Sequence, residues 1–149
     1  MRLLYLVAFV FLFAGCNNSG NNNGKAGKSH ADSLMDEVMK GHNIGMSKME
    51  KIDEAKNKIQ HIADSISKLP TNLQKSSSQY RMQLDSTFNR LTFANYTMEK
   101  WMNEFNMDSL KDNEKEQVKY LQSEKLKITK VNDAMISSLQ KADSLLKKK

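Results

Sequence analysis

Over residues 30–149 apolar side chains recur every three or four positions, and the only proline there is Pro70 and the only glycines Gly41 and Gly45. That period is helical, with none of the strict alternation of a strand, so the domain reads as all-α. Ser33 with Asp36 offers an N-cap and an acidic first turn, which predicts a helix starting near Asp32. It continues on Ile52, Ala55, Ile59, Ile62, Ile66 and Leu69 until "LPTNLQ" stops it, because Pro70 disfavours helix at the residue before it. Thr71 with Gln74 forms a capping box for a second helix, carrying Leu73, Tyr80, Leu84, Phe88, Leu91, Asn95, Met98, Met102 and Phe105. Within "NEFNMDSLKD", Asp108 or Ser109 is placed to cap a third helix with Leu121, Ile128, Val131, Met135, Ala142 and Leu145. The expected helices are therefore about 32–69, 72–105 and 109–147. Short connections make neighbours antiparallel, so the predicted fold is an up-down-up three-helix coiled-coil bundle, a rod about 55 Å long.

One stripe stands apart in chemistry. "MDEVMKGHNIGMSKM" sets Met35, Met39, His42, Met46 and Met49 at steps of four, three, four and three. Counted back from Pro70, Met39, His42 and Met46 come level with Asn95, Met98 and Met102, with Trp101 alongside. Seven of the nine methionines beyond Met1 fall in or near the half away from Pro70 (35, 39, 46, 49, 98, 102 and 107), whereas the other half uses Ile and Leu. Gly41 and Gly45 flank His42, each costing about 1 kcal/mol against alanine in a helix. The apolar register also makes three steps of three between Met46 and Ala55, a stammer, and Asn95 takes a core position. Local rules broken together mark function or partner contact.

Two chemistries fit the stripe. Thioether and imidazole suit a soft cation such as Cu(I) or Ag(I), with Met39, His42, Met46, Met98 and Met102 as candidate ligands and Asn95 orienting the ring. The stripe lacks an inward carboxylate, which disfavours oxygen-loving metals. Alternatively methionine serves as an adaptable gap filler or binding surface, which makes Met35, Met49, Asn95, Trp101 and Phe105 candidates for partner binding, or makes His42 and Asn95 a register-setting polar layer. His30 and His61 have no companions at ligand spacing and are expected at the surface.

Neither a serine with a histidine and acid at helical spacing, nor a glycine-rich phosphate loop, nor paired core carboxylates is present, so the expectation is a binding protein with no enzyme activity. The formal charge is +6, or +5 without Arg2, and its lysines alternate with Asp and Glu apart from the final "KKK". That is the pattern of a solvated helical face, and no nucleic-acid partner is expected.

The first residues place the protein. Arg2 and the apolar run of residues 3–14 form the n- and h-regions of a signal peptide over 1–15, too short to span a bilayer. The run ends in "FAGC", which resembles the lipobox of bacterial lipoproteins, with Phe13 where leucine is usual; the resemblance implies that Cys16 is acylated and becomes the mature N-terminus. Cys16 is the only cysteine, so no internal disulfide forms. "NNSGNNNGKAGKS" then reads as a flexible tether of about 20 Å, completing a linker over 16–29. The membrane is thus the expected partner, through palmitate-type acyl chains. The expected place is the bacterial envelope, outer membrane, on its periplasmic or external face, with an envelope protein as the second partner.

"DSLMDEVMKGHNIGMSKM", "MEKWMNEF" and "KADSLLKK" together resemble the small bacterial lipoproteins labelled "viral A-type inclusion protein", over most of residues 30–146. The resemblance rests on Met39 with His42 and on Trp101 with Met102, while Asn43 stands where an acidic residue is usual. It implies an envelope lipoprotein with a helical domain, and the label carries no viral function.

Overall fold

The computed structural model describes residues 27–147, and over them the chain is all-helical: α1 (His30–Ser67), α2 (Thr71–Ser76), α3 (Ser78–Glu104) and α4 (Glu114–Leu146), with no strand among the described residues. α1 begins two residues before the expected start. Ser29 Oγ accepts from Asp32 N at 3.0 Å and the Asp32 carboxylate accepts from Ser29 N at 3.3 Å, a complete capping box. Ser33 is spent inside the first turn, donating its hydroxyl to Ser29 O.

At the Pro70 turn, Thr71 gives no side-chain cap. Gln74 instead donates its amide to Ser67 O at 3.0 Å and Leu69 O at 2.7 Å, satisfying carbonyls that the end of α1 leaves orphaned. The second helical arm is interrupted only at Ser77, so α2 and α3 replace the expected 72–105 helix. The last helix starts five residues later than expected. Asp108 N donates to Asn106 Oδ1 and Leu110 takes a left-handed φ of 61°, which together hold residues 105–113 in a turn until Asn113 Oδ1 caps Glu116 N.

The long helices pack in one bundle around a common core. Arg81 donates to Ala63 O at 2.6 Å, Lys56 lies over the Phe88 ring and His42 lies beside Trp101, so positions on α3 fall as those on α1 rise. Glu37 pairs with Lys125 and Asn132 donates to Gly41 O, so α1 and α4 rise together. The core is built from Leu34, Val38, Ile52 and Ile59 of α1, Leu84, Leu91 and Met98 of α3, and Leu121, Ile128, Met135 and Leu145 of α4.

The core face of α1 is not the methionine stripe. It passes through Leu34, Val38, Gly41, Gly45, Ile52, Ala55 and Ile59, whereas Met35, Met39, His42 and Met46 each follow one residue later, about 100° round the helix. The two glycines are the reason. A Cβ on Gly41 would stand 2.8 Å from Ile128 Cγ2, and one on Gly45 2.7 Å from Met98 Sδ and 3.0 Å from Asn132 Oδ1. They are holes that let large neighbours into α1, and counting them, with Met49 packed half-buried against the core between Gly45 and Ile52, gives steps of three and four throughout. The apparent stammer arises from joining a surface stripe to a core one.

Candidate functional site

Trp101 is the pivot of the end away from Pro70. It is 5% exposed, its indole N–H donates to Glu124 Oε2 at 3.0 Å, and its ring stacks on Phe105 with centroids 4.9 Å apart. Phe105 in turn stacks on Tyr120, whose hydroxyl accepts from Asn106 N at 2.9 Å, and His42 covers Trp101 from α1 at 6.0 Å. The ladder ties α1, α3 and α4 together at one level. Trp101 is thereby a core residue and Phe105 packs half-buried against it, which removes Trp101 from any partner-binding surface.

Glu124 is the carboxylate that the apolar stripes did not reveal, 4% exposed and hydrogen-bonded to Trp101. Its second oxygen accepts from Lys127 Nζ at 2.7 Å. That hydrogen bond pushes the Lys127 ammonium above its ordinary range. Glu124 falls three residues after Leu121 and four before Ile128, a core position skipped by the apolar pattern and for that reason readable as a buried polar site. Ser138, donating to Arg90 O, fills the other skipped position.

The metal candidates divide by depth. Met39 and His42 are half-buried, and Met46 is 43% exposed. Met98 is fully buried with its thioether turned to Gly45, and Met102 packs half-buried against the core. Met39, His42 and Met46 share one side of α1, while Met98 belongs to the interior. His42 Nδ1 lies 3.2 Å from Asn43 Oδ1, within hydrogen-bond distance. Among the described residues no three His, Cys, Asp or Glu side chains gather as a metal site, so a soft cation would have only thioethers and this imidazole.

Met35 and Met49 are half-buried against the core. Asn95 is half-buried, donating to Glu99 Oε1 at 3.3 Å, and its own Oδ1 is buried without a partner. It does not meet His42 through any hydrogen bond: the ring bonds Asn43. Asn132 repeats the motif on α4, giving its N–H to Gly41 O while its Oδ1 is buried and unpartnered beside Gly45. Sequence spacing did not single out Asn132, although its place four residues after Ile128 was a signal. His61 is exposed, as is His30.

Cys16, the signal peptide, most of the linker and the last two lysines lie outside the described residues. Among the described residues no helix is long and apolar enough to cross a membrane. No protein-family model, curated protein or solved structure matches the chain.

Proposed function

We propose that this protein is a lipid-anchored envelope protein, held by an acylated Cys16, whose up-down-up coiled-coil bundle acts as a non-catalytic binding module. The binding face is the methionine side of α1, centred on Met39 and Met46. The displacement of these two side chains from the core face carries the reading: Met98 and Met135 are buried with the leucines, valine and isoleucines that hold the bundle, whereas Met46 is exposed and Met39 only half-buried one residue beyond the core positions. Flexible, polarizable thioethers on a half-exposed helix adapt to apolar partner surfaces. Opposed running of α1 with α3 and the aromatic ladder around Trp101 support a rigid platform beneath that face. The likeness to small bacterial lipoproteins agrees with the anchor and with a helical domain.

A second reading is favoured by one observation, the shared side of α1 on which Met39, His42 and Met46 stand partly exposed. Three such ligands suffice for Cu(I) or Ag(I).

One experiment separates the two. The full chain with Cys16→Ser, labelled with carbon-13 at the methionine methyls, is titrated with an apolar amphipathic helical peptide and separately with Ag(I). Peptide-induced shifts at Met39, Met46 and Met49 with Met98 and Met135 unmoved support the binding face, and stationary surface methyls overturn it. Ag(I) shifting Met39, Met46 and the His42 ring together at one equivalent supports the metal reading. In cells, an alkyne fatty acid should tag the native chain and fail on Cys16→Ser.

A further inference from the structure

On a different face, α1 and α4 run side by side and enclose a continuous surface groove, lined by these two helices alone and joined through Ile136. It extends from Glu37 and Lys125 to Lys58 and Leu146, about 32 Å at 1.5 Å per helical residue. Ile44 on one edge and Ile136 on the other are 39% and 36% exposed.

The two rims carry opposite charge. Lys40, Lys48, Lys51 and Lys58 stand on the α1 side and Asp133 and Asp143 on the α4 side. None of the six takes part in an ion pair among the described residues, whereas Glu37 and Lys125 neutralise each other across the groove. Glu54 is the single further carboxylate on the α1 rim.

We infer that this face is the contact between two copies of the chain, related by a two-fold axis parallel to the helices. α1 of each copy then lies along α4 of the other. The lysine rim meets the aspartate rim twice, and Ile44 of one copy reaches the level of Ile136 of its partner. An axis perpendicular to the helices would set lysine against lysine, and a partner of uniform charge would oppose one rim or the other. Only a surface that is cationic on one side and anionic on the other at the same levels satisfies both rims, and the chain itself is such a surface. The parallel arrangement also brings both N-terminal ends out on one side, as two copies tethered to one membrane require.

Sedimentation equilibrium tests the pairing, using the full chain with Cys16→Ser from about 1 to 500 µM at low salt. The native surface is expected to dimerise. Lys48→Asp and Asp133→Lys, each present twice in a symmetric contact, are each expected to weaken the dimer about tenfold, and the double variant to return within about threefold of the parent. A monomer throughout overturns the inference and leaves the groove to another molecule. Dimers unaffected by either single change, with helical circular dichroism intact, overturn this face as the contact, and a double variant no better than the singles overturns the parallel pairing.

Discussion

The two ends of the bundle solve the same packing problem with opposite means. Towards Pro70, Ile59, Leu84 and Leu145 fill the space between helices with branched apolar side chains in full burial. Away from Pro70, α1 withdraws its side chains at Gly41 and Gly45, and Ile128, Met98 and Asn132 move into the space. There the interior also admits a carboxylate, Glu124, and two amide oxygens without partners, Asn95 Oδ1 and Asn132 Oδ1. The first end is held by volume, the second by close approach and polar contacts. The methionines that colour the second end in sequence divide there: Met98 lies in the core and Met35, Met49 and Met102 pack against it, while Met46 and Met107 are exposed.

The contrast is sharpest in what substitution costs. Ile59→Ala removes a branched side chain from the end held by volume and should destabilise by about 2–5 kcal/mol in chemical denaturation. At the other end, Trp101→Phe keeps the stacking on Phe105 but strips Glu124 Oε2 of its donor, for an expected loss of about 1–3 kcal/mol. Glu124→Gln, which still accepts from the indole, should cost less than Trp101→Phe. The reverse order would mean that the Lys127 pair matters more than the indole bond.

The glycines give a finer test. Gly41→Ala gains about 1 kcal/mol in helix propensity and loses about 1–3 kcal/mol to overpacking, because Ile128 is β-branched and stiff where the new methyl arrives. The net expectation is destabilisation by about 1 kcal/mol. Gly45→Ala meets the free end of Met98, an unbranched chain that can swing aside, and should come out close to neutral. Equal losses at both positions would show that Asn132 Oδ1, rather than Met98, sets the limit at Gly45. Met46→Leu, on the exposed side, should change stability by less than about 0.5 kcal/mol.

These glycines also explain what the sequence did and did not disclose. Helix content and the Pro70 turn follow from period and proline, and the level of His42 with Trp101 follows from counting back from that turn. The core face of α1 did not follow, since glycine carries no apolar weight and a pattern built from side chains slides onto the next residue, the methionine stripe. Likewise Glu124 and Ser138 are gaps in an apolar pattern, and only a partner across the bundle, Trp101 for one and Arg90 O for the other, makes them interior residues. The start of α4 was missed because Asp108 and Ser109 are adequate caps by composition, and the left-handed turn at Leu110 is a property of the folded loop.

The smallest expected effect compares two lysines on α4, two residues apart. Lys125 reaches across to Glu37 of α1, and that hydrogen bond holds the Glu37 carboxyl below its ordinary range. A carboxyl with a lowered folded value stabilises the fold above its unfolded value, and the contribution fades as pH falls through the folded one. Lys127 instead binds Glu124 on its own helix and is raised, so its contribution is complete below the ordinary lysine range and fades only as pH rises beyond it. Between about pH 5 and 3, therefore, Glu37→Gln should flatten part of the acid-side loss of thermal stability, while Lys127→Met should leave the Glu37 contribution untouched. Because Glu37 and Lys125 are both solvent-exposed, high salt should shrink the Glu37 difference. A Glu37 effect that survives molar salt would mean the ion pair is drier than its exposure allows.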